Sequence, residues 1–303
     1  MDERKIKYVD IEELVIDPCN VRGGSWDYDE ELVQSVKQHG IHLPLIVRPL
    51  NVGGKQKYGI VCGGRRYHAA LEAGLKKVPC IIQPMDDVEA MGASLEENVM
   101  RKNVPLWQII EWVGKMYEKL RWDEKRRFKG TESKYKEISR ITSLKVQKVR
   151  DYVRIALYLP EEVRALLRPR EDRTPYQEER LQKILYLTRS PPKTLNITKA
   201  LLILNELSDL PVEKQVEVAA YIINKTNEVA EKVVKLVKEY PNASIDEIDR
   251  MIKGKAPVVY KRTVEIDAET MRALENACLD LQKKLPDLII EIVKEWLKKN
   301  FYL

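Results

Sequence analysis

The sequence predicts a multi-domain α+β chain: a small α/β amino-terminal domain over residues 1–104, an all-α middle over 105–257 and a strand with two helices over 258–303. Three observations predict it. Short β-branched runs alternate with amphipathic stretches through the first hundred residues. From about Pro105 the apolar spacing turns helical almost throughout, and after Gly254-Lys-Ala-Pro257 one alternating run precedes two helical ones. At 303 residues the chain is long enough for two or three such units.

Taken in order, residues 9–15, 45–49, 57–62 and 78–83 read as strands, each short, rich in β-branched residues and flanked by Gly or Pro. Residues 29–39 read as a helix, with Leu32, Val33 and Val36 at helical spacing and Gly40 as its stop; residues 65–73 form another, closed by Gly74. Across the middle, Pro160, Pro169, Pro175, Pro191-Pro192, Pro211 and Pro241 punctuate a set of short helices. Residues 258–267 alternate like a strand, and 268–284 and 286–300 carry apolar faces at helical spacing.

Composition narrows the function classes. No run of about 18 apolar residues is present to span a bilayer, and the start Met1-Asp-Glu-Arg-Lys lacks a signal-peptide pattern, so a cytoplasmic protein with no membrane partner is expected. Cys19, Cys62, Cys80 and Cys278 include no Cys-x-x-Cys pair, and His39, His42 and His68 lack the spacing of a metal site. A metal is therefore expected only together with a nucleotide. Residues 121–150 hold eleven Lys/Arg against four Asp/Glu, a net of +7 in a chain whose total is +6. Such a local basic block is the footprint of a polyanion contact, because phosphate neutralisation releases condensed counterions.

The segment Tyr58-Gly-Ile-Val-Cys-Gly-Gly-Arg-Arg-Tyr-His-Ala-Ala70 is a strand that ends in paired glycines and opens a helix with two arginines in its first turn. Free amides at a helix start attract anions, and guanidinium groups fork onto phosphate oxygens. Those residues suit a phosphate cradle; they equally suit a tight strand-to-helix turn with solvated arginines.

Three boxes extend this motif: SVKQHGIHLPLIVRP at 35–49, CGGRRYHAA at 62–70 and ENVMRKNV at 97–104, with Asn20-Val-Arg22 upstream. In order and spacing they resemble the ParB partition family. The resemblance implies an amino-terminal domain binding cytidine triphosphate with Mg2+, with nucleotide contacts at Arg22, Gly63, Gly64, Arg65, Arg66, Glu97, Asn98 and Arg101, and metal organised by Glu97 and Asn98. Two departures matter: Gly64 stands where that family usually has glutamate, and Met100 where it often has glutamine. Both remove polar groups that orient metal or water, so binding is expected with slow or absent hydrolysis and no assigned catalytic residue.

The same fold family includes sulfiredoxin and a free-serine kinase, which keeps a nucleotide-dependent small-molecule enzyme as the competing class. Sulfiredoxin chemistry needs a cysteine just after the paired glycines, where this chain has Arg65. A DNA-reading attachment would be superfluous to a small-molecule kinase.

Within the basic block, residues 135–154 have the spacing of a helix-turn-helix, with Ile138 and Ser139 in the first helix, Ser143 at the turn and Val149 in the second. If Val149, Tyr152 and Val153 face inward, then Lys145, Gln147, Lys148, Arg150, Asp151 and Arg154 lie on or beside the outer face. Gln and Arg read base edges; Lys meets phosphate. The next stretch, IALYLPEEVRALL, is similar to the ParB segment after its reading helix.

Residues 258–303 depart from that family and resemble a ribbon-helix-helix module. Such a unit buries its core by pairing two strands across a twofold axis, so a homodimer is expected. Lys261 and Thr263 would then face DNA from the ribbon, although Glu265 beside them repels phosphate. The expected function is sequence-specific duplex-DNA binding in segregation or nucleoid organisation, nucleoid-associated, with a partition ATPase as a further partner implied by the resemblance. A transcriptional regulator is the other DNA-binding reading.

Overall fold

In the computed structural model, residues 5–23, 29–100, 104–123, 128–186, 193–254, 267–281 and 285–299 are described. Two compact units divide the chain, residues 1–255 and 256–303. The first joins a five-stranded mixed sheet to a large set of helices.

Strands Ile6–Asp10 (β1), Leu14–Ile16 (β2), Leu45–Val52 (β3), Lys55–Cys62 (β4) and Lys77–Ile82 (β5) lie in the order β1-β5-β3-β4-β2. β1 runs antiparallel to β5, β5 parallel to β3, β3 antiparallel to β4, and β4 parallel to β2. The single strand expected over 9–15 is thus two, broken by a 3-10 turn at Ile11–Glu13 that sends them to opposite edges. The alternation stops at Glu12-Glu13 inside the turn, but the run stays rich in β-branched residues on both sides, which is why it reads as one strand. Three residues span less than the roughly 19 Å of four flat strand spacings, so the sheet must curl until its edges approach. β3 and β4 form a hairpin closed by Gly53-Gly54, both at positive φ (58° and 78°), the backbone that suits a two-residue turn.

Helices Glu30–His39 (α1) and Gly64–Glu72 (α2) cover the sheet, with Val33, Val36 and Ala69 buried between them. Helix Asp87–Met100 (α3) leads into the helical layer: Leu106–Arg121 (α4), Thr131–Thr142 (α5), Val146–Tyr158 (α6), Glu161–Ala165 (α7), Pro175–Leu185 (α8), Ile197–Glu206 (α9), Val212–Ile222 (α10), Asn227–Glu239 (α11) and Ile245–Ile252 (α12). Proline sets many starts: Pro105, Pro160 and Pro211 precede α4, α7 and α10, and Pro175 opens α8, where a missing amide hydrogen costs little. Pro191 and Pro192 lie outside the described residues. Lys199 on α9 is buried and caps the end of α10, its Nζ donating to the carbonyls of Ile223 (3.0 Å) and Lys225 (2.6 Å).

Two glycines let helices touch. A Cβ at Gly114 on α4 would stand 2.5 Å from the Ala156 Cβ on α6, and one at Gly92 on α3 would stand 1.8 Å from the Ile141 Cγ2 on α5. Gly92→Ala is expected to destabilise the chain by about 1–3 kcal/mol through overpacking. Urea denaturation of Gly92→Ala and of Gly92→Ala with Ile141→Ala measures it; the second change should restore part of the loss.

Behind the sheet sits a buried ion pair. Arg48 on β3 donates Nε to Asp17 Oδ2 (2.6 Å) and Nη2 to Asp17 Oδ1 (3.0 Å), and Nη2 lies 2.9 Å from Asp87 Oδ1. Burial works against its charge, but the hydrogen bonds to Asp17 and Asp87 outweigh burial and raise its pKa. Lys119 and then Arg48 hold the Asp87 carboxyl below its usual range. Cys19, beside this cluster, is pushed up to about 11 by burial and by Asp87, which leaves an inert thiol. Gly59 on β4 makes room for the carboxylate, since a Cβ there would fall 2.3 Å from Asp17 Oδ2.

The second unit holds Ala268–Leu281 (α13) and Leu285–Lys299 (α14) packed together, with Asp267 capping α13 by accepting from the amides of Glu269 (3.0 Å) and Thr270 (2.9 Å). Ile290, Ile292 and Val293 are exposed on α14. The strand expected over 258–267 lies outside the described residues except for Asp267.

Candidate functional site

The turn from β4 to α2 is built on Gly63, whose φ of 98° suits glycine and whose missing Cβ leaves room for Arg66 and Leu45. A methyl there would approach Arg66 Nη2 to 2.9 Å and Leu45 Cγ to 3.2 Å. Gly64 begins α2 and is buried, so the helix opens on a bare backbone. This turn, with Arg65 and Arg66, forms one side of a cavity of about 210 Å³.

The other sides come from distant segments. Asn20 donates Nδ2 to the carbonyls of Ile60 (3.2 Å) and Val61 (3.1 Å) and accepts the Arg22 amide on Oδ1 (3.0 Å), which fixes the 20–22 loop beside the cavity. Ser94 on α3 receives the Val21 amide, and Gln108 on α4 donates to the Val21 carbonyl at 2.7 Å. From α3, Glu97 and Asn98 line the cavity; Asn98 is buried and donates Nδ2 to the Ser94 carbonyl (2.8 Å). Arg22, Gly63, Gly64, Arg65, Arg66, Glu97 and Asn98, all singled out in the sequence, therefore meet around one opening. Arg101 lies outside the described residues.

The two arginines are held differently. Arg66 donates Nη1 to the carbonyls of Leu43 (2.6 Å) and Pro44 (2.8 Å), with Nη2 3.9 Å from Glu97 Oε1. Arg65 pairs with Asp29, and its Nε is shielded from solvent without a hydrogen-bond partner. Asp29 caps α1, and the Leu32 amide, then Arg65, hold its carboxyl below the usual range. Asp29, Leu32 and Leu43 are cavity residues that the sequence did not yield as such. The helix-start position of Asp29 was legible; its pairing with Arg65, 36 residues away, was not.

Among the described residues no cluster of three His, Cys, Asp or Glu side chains could hold a metal by itself. Glu97 and Asn98 bring a carboxylate and a side-chain amide to the same wall of the cavity.

A second feature is the pair α5 and α6. Ser143 joins them in the left-handed region (φ 57°), its Oγ donating to Glu96 on α3 at 2.5 Å, and Ser139 Oγ donates to the Leu144 carbonyl at 2.6 Å. Val149, Tyr152 and Val153 are buried, while Gln147 and Lys148 on α6 are exposed and Lys145 immediately precedes that helix, also exposed. The outer face is internally bonded: Arg150 donates to Glu132 (2.8 Å) and Gln147 (3.1 Å), and Gln147 donates to Asp151 (2.9 Å). Arg154 turns to Asn205 on α9. Lys261 and Thr263 lie outside the described residues.

Comparison with known proteins bears on the amino-terminal part. The family model described as the ParB N-terminal domain matches residues 1–99. Over 75 residues the chain is 45% identical to the probable chromosome-partitioning protein ParB of Coxiella burnetii, covering 25% of this chain and 24% of that protein. It is 41% identical over 75 residues to the chromosome-partitioning protein Spo0J of Thermus thermophilus, covering 25% and 26%. The matched part spans about a quarter of the length of these curated relatives. Among solved structures, Caulobacter crescentus ParB, C-terminally truncated and complexed to the centromeric parS site, is similar at 21% identity and TM-score 0.37, over 82% of this chain and 99% of that one. The same organism's truncated ParB complexed with CTP-gamma-S is 27% identical, TM-score 0.28, over 52% and 82%. Among the described residues no helix is long and apolar enough to cross a membrane.

Proposed function

We propose, from an amino-terminal part that matches the ParB N-terminal domain, that this chain is a duplex-DNA-binding partition protein. It reads a specific site through α6, takes CTP with Mg2+ in the arginine-lined cavity and works as a nucleoid-associated homodimer. One observation carries the reading: a cavity with glycine amides and arginines fitted to a polyanion, and a helix-turn-helix with an exposed basic face, share one compact unit. Its layout is an amino-terminal domain over 1–104, a helical domain over 105–257 and a dimerising ribbon-helix-helix-like end over 258–303. Segregation or nucleoid organisation is the proposed role, with a partition ATPase as a further partner. Sequencing the genomic fragments that the chain retains tests it; retention without any preferred site overturns site-specific partition.

The cavity's donors fit the nucleotide. Gly63 and Gly64 present backbone at a helix start, and Arg22, Arg65 and Arg66 supply positive charge around the cavity, to which the family resemblance adds Arg101. When bound, the nucleotide with its metal contributes a compact block of negative charge. Glu97 and Asn98 orient that end of the cavity. Gly64 offers no side chain to align a water, so turnover is slow or absent.

On DNA, Gln147 and Arg150 read base edges while Lys145, Lys148 and Arg154 meet phosphates. Replacing Gln147 and Arg150 by Ala is expected to remove site preference, about 1–3 kcal/mol for each lost bidentate base contact, whereas Lys148→Ala weakens all duplexes alike and lowers the salt dependence. Fluorescence anisotropy on specific and scrambled duplexes at two salt concentrations separates the two.

The exposed Ile290, Ile292 and Val293 of α14 support the dimer, because a pair of helices alone offers them little cover. Lys261 and Thr263 stand as the ribbon's DNA contacts. Removing residues 258–303 should convert dimer to monomer in sedimentation at micromolar concentration; a truncated chain that stays dimeric places the interface elsewhere.

A further inference from the structure

A second cavity, of about 790 Å³, opens between Arg48 and Leu50 of the sheet and residues of α3, α4 and α6. Its size falls within the range of small-molecule sites, and its walls have the matching chemistry. Leu50, Met91, Trp112, Ala156 and Leu157 supply an apolar lining. The Gly114–Ala156 contact closes one side, where α4 and α6 approach too closely for side chains to fill the space.

The charges around the lining are unevenly committed. Arg48 and Lys119 are neutralised by Asp17 and Asp87, Glu111 pairs with Arg168, and Glu118 pairs with Arg121. That leaves two cations. Lys115 lies over the Trp112 ring, 5.3 Å from its centroid, and among the described residues no carboxylate pairs with it. Arg164 donates one Nη to the Ala156 carbonyl, while its Nε is shielded from solvent with no hydrogen-bond partner. A buried donor without an acceptor is costly, by about 1–3 kcal/mol, so the protein leaves this guanidinium incompletely satisfied where it lines the cavity.

We infer that this cavity is a binding site for a small amphipathic anion: an apolar chain or flat ring system seated against Trp112, Leu50 and Leu157, with one acidic group held by Arg164 and Lys115. The site is separate from the arginine-lined cavity and does not depend on the nucleotide or DNA reading. It shares no lining residue with that cavity.

The test uses the full chain with two probes, decanoate and anilinonaphthalene sulfonate, followed by calorimetry and probe fluorescence. Saturable binding with mutual competition is expected, decanol binding far more weakly than decanoate. Lys115→Gln, a surface change that leaves the fold alone, should weaken both probes about tenfold, and Arg164→Gln at least as much. Leu157→Trp, which fills the space, should abolish binding at an unchanged melting temperature. If neither probe saturates, if decanol binds as well as decanoate, or if Lys115→Gln and Leu157→Trp bind like the parent chain, the site does not exist as argued. Because Lys115→Gln spares the Arg164 carbonyl bond, loss of fold in Arg164→Gln would not shield the inference.

Discussion

Arg66→Ala is expected to weaken CTP binding about a hundredfold, through loss of two or more charge-assisted hydrogen bonds worth about 3 kcal/mol together. The side chain does two jobs in the folded chain. It faces the cavity beside Glu97, and it pins the Leu43–Pro44 backbone with a pair of hydrogen bonds, so the alanine variant removes a cation and loosens a wall. Arg66→Lys separates the two, since an ammonium keeps the charge but not the fork. Calorimetry with the four ribonucleoside triphosphates and Mg2+ measures the effect. Full affinity in the alanine variant would remove this arginine from the site, and absence of heat with any nucleotide in the parent chain would leave a DNA binder without a nucleotide switch.

Asp17→Ala is expected to destabilise the first unit by about 3–5 kcal/mol, because it takes the main partner from a guanidinium that is almost wholly shielded from water. Arg48 is only 4% exposed, and Asp17 supplies two of its short contacts while also accepting the Cys19 amide at 2.7 Å. Asp87 remains as a partial partner, which places the loss toward the lower end of that range. Replacing the pair together, Asp17→Leu with Arg48→Met, should recover much of the stability, since the desolvation penalty leaves along with the attraction. Denaturant midpoints at constant m-value report both variants. A single alanine that shifts stability by less than about 1 kcal/mol would show that the pair is solvated in the working protein.

Much of this architecture was legible because it rests on local chemistry. Gly40 and Gly74 end helices where the spacing says they should, both at positive φ, and Pro160, Pro175 and Pro211 stand at helix starts. Val149, Tyr152 and Val153 fall on the buried side of α6 because helical periodicity alone assigns a face. What was hidden depends on pairing across long stretches of chain. The split of residues 9–15 into β1 and β2 depends on which neighbour each half finds, β5 or β4; Glu12-Glu13 interrupts the alternation there but does not say which partner either half takes. Asp29 with Arg65, Asp17 with Arg48 and Arg150 with Glu132 likewise join residues whose separate identities say only that they are charged. The candidate cavity was readable at its glycines and arginines; the walls given by Asp29, Leu32 and Leu43 were not, being ordinary residues made relevant by position.

The space that Gly59 leaves for Asp17 bears on how this chain can drift over generations. With a Cβ position 2.3 Å from a carboxylate oxygen and 2.5 Å from Leu50 Cδ1, the strand accepts no side chain at 59 while an aspartate stands at 17. An alanine can arrive at 59 only after 17 has shortened, and 17 can shorten without strong penalty only if Arg48 gives up its charge. Arg48 alone cannot go first either, since the buried Asp17 carboxylate would then stand without its main partner, so 48 and 17 change together and 59 last. Homologous chains should show these three sites changing as a set or not at all, with glycine at 59 wherever the acid and the base are both retained.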